Sequence, residues 1–138
     1  LEAAVELMIW SKEYSVGVAS IDDEHRGLFD AINEIHAAVK SNKERSEIGL
    51  LLGKVADGTR SHFASEEAMM IAAKYNGAAL HTIKHQHLLE QVDAFIARFN
   101  RGFNLNEHSL TFLRDWFIPH IVEADANFGL WFAEHGKH

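Results

Sequence analysis

Cysteine is absent from this chain of 138 residues, so disulfides, thiolate metal sites and thiol redox chemistry are all closed to it. The absence fits a reducing, cytoplasmic setting. Proline occurs once, at Pro119, and no segment alternates polar with apolar residues, which argues against β-structure. No apolar run approaches the roughly 18 residues of a membrane span. Cationic residues are in the minority: 13 Lys and Arg against 20 Asp and Glu leave a net charge of −7. That balance argues against nucleic acid as a partner, because its binders carry basic patches to neutralise phosphates.

What the chain does have is apolar residues along its whole length, 47 % of the total, enough for a core in a domain of this size. Four long segments carry helical periodicity. The first starts near Ser20 or Asp22, residues suited to N-capping, runs with Leu28, Ile32, Ile35 and Val39 on its apolar stripe, and ends at Ser41-Asn42. The second covers about 46–75, with Ile48, Leu52, Val55, Thr59, His62, Glu66, Met69 and Ala73 in steps of three and four. Asn76-Gly77 breaks the pattern. The third covers about 78–100 on a stripe of His81, His85, Leu88, Val92, Phe95 and Phe99. The fourth covers about 106–134 on Leu110, Leu113, Phe117, Ile121, Ala124, Phe128 and Trp131. The expected fold class is all-α: an up-down-up-down antiparallel four-helix bundle behind an N-terminal arm. Residues 1–138 are read as a single domain, with linker and arm over 1–20 and the bundle over 21–135. The opening Leu1-Glu-Ala-Ala-Val-Glu-Leu-Met8 begins without methionine and is rich in helix formers. It reads as a linker from a preceding domain of a longer protein.

Histidines and carboxylates fall on the inward stripes. They are His25, then His62-Phe-Ala-Ser-Glu66, then His81-Thr-Ile-Lys-His85, then His120-Ile-Val-Glu-Ala-Asp125. Helical residues four apart sit one above the other, so His62 with Glu66 and His81 with His85 form two claws. Each pair alone is a weak sign, since surface residues also fall at that spacing. Buried imidazoles and carboxylates without partners cost several kcal/mol, so seven on inward faces call for a shared ligand. Nitrogen and oxygen donors suit first-row transition metals. His120 and Asp125, five apart, stand about 140° round a regular helix. A widened turn would bring them together, and Pro119 removes a backbone hydrogen bond nearby, so an irregularity is expected between Asp115 and Asp125. The remaining histidines are not read as ligands. His87 points away from His85, His36 lies far along the first helix, and His108, His135 and His138 sit near segment ends.

The order H…HxxxE…HxxxH…HxxxxD, with Trp10-Ser-Lys-Glu-Tyr14-Ser-Val-Gly17 and Ile21-Asp-Asp-Glu-His25, resembles the bacterial hemerythrins over nearly the whole chain from Trp10 onward. The resemblance implies a non-haem di-iron centre that binds dioxygen. On that likeness His81, His85 and His120 would hold one iron, and His25 and His62 the other. Glu66 and Asp125 would bridge both beside an oxo or hydroxo group. One iron would then have six ligands and the other five, leaving a seat for the gas. Leu28, Phe63, Trp116, Phe117 and Ile121, within one turn of these positions, are candidates for a wall that keeps water from the site. Reversible oxygen binding is the expected function, as a sensing module of a chemotaxis-type signalling protein or as a store or carrier. An upstream signalling domain of the same chain would be the partner of a sensor. The alternative is a di-iron peroxidase or a nitric-oxide-reactive enzyme using the same centre. A ferritin-like oxidase would place Glu three residues before His, and no histidine here has one. A mononuclear zinc site would use only four of the seven donors.

Overall fold

A computed structural model describes residues 6–135. Its helices are α1 (Ala19–Lys40), α2 (Arg45–Ala72), α3 (Ala78–Asn100), α4 (Glu107–His120) and α5 (Ala126–His135). A π-turn, Ile121–Asp125, joins α4 to α5, so these two make one fourth rod. No strand occurs among the described residues. Short loops fold each rod back along its predecessor: α1 packs on α2, α2 on α3, and α4 closes the bundle against α1 and α3. The four-helix bundle expected from the periodicity is the fold observed. No helix among the described residues is long and apolar enough to cross a membrane.

The helix ends show where local chemistry acts. α1 begins at Ala19 behind Val18, which offers no side-chain cap, so Asp22 is not the N-cap that the sequence suggested. Its carboxylate reaches back from the first turn instead, accepting the Ser15 hydroxyl (2.6 Å) and the Val16 N–H (2.9 Å), and ties the arm to the bundle. α1 ends as expected, with Asn42 in the left-handed region at φ 55°. α2 stops at Ala72, three residues short of the expected end, because Lys74 takes the left-handed conformation at φ 61°. The Tyr75 N–H then returns to the Met70 carbonyl. Lysine at such a position is strained relative to glycine. Lys74→Gly should therefore raise stability by about 0.5–1 kcal/mol, read as a shift in the urea midpoint. α4 starts with a reciprocal cap in which the Asn106 side chain accepts the Ser109 N–H and the Ser109 hydroxyl accepts the Asn106 N–H.

The core follows the stripes with local corrections. In α2 Met70 rather than Met69 is the buried methionine, four residues on from Glu66, while Val39, Ala73, Leu88 and Trp131 are only half-buried. Thr59 is buried but satisfied, since its hydroxyl donates to the Val55 carbonyl at 2.7 Å.

The expected irregularity falls within Asp115–Asp125 as the π-turn directly after Pro119. Five residues in a widened turn advance far less round the axis than in an α-helix, so His120 and Asp125 end on one face. The same turn sets the phase of α5, which meets the arm at Gly129. A Cβ there would collide with the Val16 carbonyl oxygen. Gly129→Ala should displace the arm and cost about 1–3 kcal/mol by overpacking. Thermal denaturation checks this, and an unchanged midpoint would contradict the close arm–helix contact.

Candidate metal centre

The four rods bring all seven predicted side chains to one point in the bundle interior. His25, His62, Glu66, His81, His85, His120 and Asp125 are all buried, with Glu66 and Asp125 sealed from solvent completely. α1 supplies His25; α2 supplies His62 and Glu66 one turn apart; α3 supplies His81 and His85. The fourth rod supplies His120 and Asp125 across the π-turn.

Their donor atoms form two groups, each within 4.8 Å: Glu66, His81, His85, His120 and Asp125; and His25, His62, Glu66 and Asp125. Three imidazoles thus belong to one half and two to the other, and the same two carboxylates serve both. Each carboxylate divides its oxygens between the halves. Glu66 Oε1 lies 2.8 Å from His81 Nε2 and 3.2 Å from His85 Nε2, while Oε2 lies 3.4 Å from His62 Nε2. Asp125 Oδ1 lies 2.9 Å from His81 Nε2 and 3.0 Å from His120 Nε2, while Oδ2 lies 3.0 Å from His25 Nε2.

His81 Nε2 and Asp125 Oδ1 are hydrogen-bonded at 2.9 Å, but other atoms of the cluster are not. His25 Nε2, His62 Nε2, both Glu66 oxygens and Asp125 Oδ2 are buried with no aligned partner. His85 Nε2 and His120 Nε2 approach to 3.1 Å across the centre of the cluster. Orphaned buried polar atoms converging in this way are costly unless something they all coordinate sits between them. A nitrogen-rich donor set with two shared carboxylates fits a pair of first-row transition-metal ions.

The pKa pattern carries the same tension. Burial pulls the His62 imidazole below its ordinary value, and the neighbouring His25 adds to this against the opposing charge of Glu66. Burial also opposes charge on His81. Contacts with Asp125 and Glu66 outweigh it and raise this imidazole from 6.5 to about 9. Asp125 is penalised by burial too, but its contacts with His120, His25 and His81 hold it well below the ordinary carboxylate value. A group whose pKa is raised above neutrality holds its proton at pH 7, and a metal must displace that proton to bind. Metal uptake by the metal-free protein should therefore release about one proton from His81 at pH 7.5, falling to about half a proton near pH 9 and vanishing at higher pH. A pH indicator in weakly buffered solution reads this, and uptake without release at pH 7.5 would contradict it.

Two further carboxylates were not singled out from the sequence. Glu24 accepts from His62 Nδ1 at 2.6 Å, and Glu67 accepts from His85 Nδ1 at 2.7 Å. A carboxylate can only accept here, so each fixes its histidine with the proton on Nδ1 and the Nε2 lone pair facing the centre. Glu24 adjoins His25 and Glu67 adjoins Glu66, but each serves a histidine on the next helix. Helical spacing gives no sign of such a pairing. Glu67→Ala should weaken metal retention by about 10–100-fold against a competing chelator, and unchanged retention would count against this role.

The five wall candidates are all buried but do not form one surface. Phe117 meets the His25 ring edge-on at 5.5 Å. Phe63 stacks flat on His85 at 3.8 Å and also adjoins His62 and His120. Leu28 lines a cavity beside His62. Ile121 opens the π-turn. Trp116 lies on the α3 side, where its indole N–H donates to the Leu88 carbonyl at 2.8 Å. Of the other histidines, His36 pairs with Glu107 at 3.4 Å, while His87, His108 and His135 are exposed. His138 and the opening residues 1–5 lie outside the described residues.

Comparison with known proteins agrees with this geometry. Residues 16–129 match the model of the hemerythrin HHE cation-binding domain. The chain is 33 % identical over 125 residues to a bacteriohemerythrin of Methylococcus capsulatus, covering 89 % of this chain and 95 % of the relative. It is 31 % identical over 119 residues to a bacteriohemerythrin of Stenotrophomonas maltophilia, covering 86 % and 77 %. The structure superposes on a wild-type hemerythrin crystal structure with a TM-score of 0.82 at 33 % identity, covering 89 % of this chain and 95 % of that one.

Proposed function

Because this chain belongs to the hemerythrin family, we propose that its buried cluster holds two iron ions and binds dioxygen reversibly. The observation that carries the reading is the division of Glu66 and Asp125 between unequal halves, three histidines on one side and two on the other. Shared carboxylates suit bridges, and the half with fewer donors has the room for a further ligand. A pair of ferrous ions can lend electrons to dioxygen and recover them on release.

The protein's own part is to hold and to exclude. His81, His85 and His120 fill one half; His25 and His62 leave the other incomplete. Glu24 and Glu67 hold two of the imidazoles in the tautomer that donates. Phe117, Phe63 and Ile121 keep water and protons from the donors, which favours release of the gas unchanged over irreversible oxidation. In this reading the protein is a cytoplasmic oxygen binder rather than an enzyme. Its role is oxygen sensing within a longer signalling chain, with storage or carriage as the free-standing counterpart. Finding a signalling coiled coil in the full gene product would favour the sensor.

Metal analysis with visible spectroscopy tests the proposal. Two irons per chain, and a visible absorption that appears on adding oxygen to the reduced protein and vanishes on its removal, are expected. One ion per chain, or no reversible change, would overturn it.

A further inference from the structure

Of the chain's seven asparagines, only Asn76 precedes a glycine. Asn76-Gly77 ends the five-residue connection between α2 and α3, with Asn76 exposed and Gly77 half-buried. The connection is tight. The Lys74 and Tyr75 N–H groups return to the Ile71 and Met70 carbonyls, and the Ala78 N–H to that of Tyr75. The Gly77 N–H, left over at the start of α3, has no acceptor among the described residues. We propose that Asn76-Gly77 is a site of self-modification, where the chain deamidates to an iso-aspartyl link that displaces His81 from the metal cluster. The modification goes beyond the oxygen-binding reading, and only its consequence for metal rests on that reading.

The step needs nothing but water. The Gly77 nitrogen loses its proton and attacks the side-chain carbonyl carbon of Asn76. A new C–N bond closes a five-membered imide, the amide C–N bond breaks, and its nitrogen leaves as ammonia with that proton. Water then opens the ring at either carbonyl, and opening at the main-chain carbonyl routes the backbone through the former side chain. No electrons change hands. Glycine favours the attack because no Cβ shields its nitrogen. It is also held in place, since a Cβ at 77 would lie 2.7 Å from the Tyr75 ring. Asp57-Gly58 carries the same chemical liability but is spared. It lies within α2, where the Gly58 N–H is tied into the helical ladder.

The consequence follows from length. An iso-aspartyl link adds a backbone bond of about 1.5 Å, whereas a coordinated imidazole tolerates only about 0.2 Å of displacement. The connection has little slack to absorb it, being pinned at one end to the Met70 carbonyl. At the other end the Gly77 carbonyl accepts the His81 N–H at 3.0 Å. A shift of Gly77 therefore passes through the first turn of α3 to His81, and the two residues line the same small cleft.

Ageing the full, metal-free chain at mildly alkaline pH tests the site by mass. The tryptic peptide 75–84 should gain the mass difference between an acid and an amide and split into two species, one of them methylated by an isoaspartyl methyltransferase. The other asparagines and Asp57 should stay unchanged. After reloading with iron, the aged wild type should hold metal about 10–100-fold less tightly against a chelator, as when support behind a ligand is lost. Asn76→Gln closes the ring far more slowly and should keep its affinity through ageing. Asn76→Asp, assayed fresh, brings the charge without the added bond and should bind like fresh wild type, because a negative charge is favourable at a helix N-terminus. An unmodified peptide 75–84 after ageing would overturn the site. Iso-aspartyl chains that hold metal like fresh protein, or a fresh Asn76→Asp variant that does not, would overturn the displacement of His81. Fresh protein that holds no metal at all would overturn the centre and the displacement with it, leaving the modification standing.

Discussion

Glu66→Ala will reduce the iron content from two ions per chain to one at most, and the reversible oxygen spectrum will vanish with the second ion. Glu66 is sealed from solvent, with one oxygen facing His81 and His85 and the other facing His62. Its loss removes a donor from each half at once. Taking away a supporting residue behind a ligand already costs about 10–100-fold in metal affinity, so losing a donor common to both sites must cost more. Glu66→Gln keeps the volume and one neutral oxygen and spares the fold, yet should fail to retain two ions for want of charge. Iron analysis of both variants after dialysis decides the matter. Retention of two ions by the alanine variant would show that the carboxylate is not a bridge.

Phe117→Ala will speed irreversible oxidation of the oxygen-bound protein by about tenfold or more, if a barrier fall of 1.4 kcal/mol or above follows from admitting water. Phe117 is wholly buried, edge-on to the ring of His25 and in contact with Phe29 and Trp116. Removing it leaves a void beside a donor imidazole of the incomplete half. The cost in stability should be about 3–5 kcal/mol, as for other buried phenylalanines. Decay of the oxygen spectrum, followed well below the lowered melting temperature, separates the two effects. Folded variant protein that decays at the wild-type rate would remove Phe117 from the water-excluding wall.

Much of this was legible in the sequence, and for a physical reason. A helix repeats every 3.6 residues, so His62 with Glu66 and His81 with His85 announce their shared faces directly. The bundle follows from four such stripes and short breaks. Even the π-turn was foreshadowed, because His120 and Asp125 cannot share a face of a regular helix. What the sequence hid lies between helices or within loops. The pairing of Glu24 with His62 joins α1 to α2 over 38 positions, which no local spacing encodes. Asp22 looked like a cap because its type suits one, yet the arm it binds drew it elsewhere. Trp116 shares the α3-facing side of α4 with His120 one turn away, but its indole N–H is spent on the Leu88 carbonyl, a pairing between helices that spacing does not encode.

The account stands on one dinuclear centre with unequal halves. Iron-edge anomalous scattering from crystals of the reduced, iron-loaded protein measures this directly. The expected map shows two peaks per chain, one among His81, His85 and His120, the other beside His25 and His62, with Glu66 and Asp125 reaching both. A single peak, or two peaks with no carboxylate in common, would contradict it.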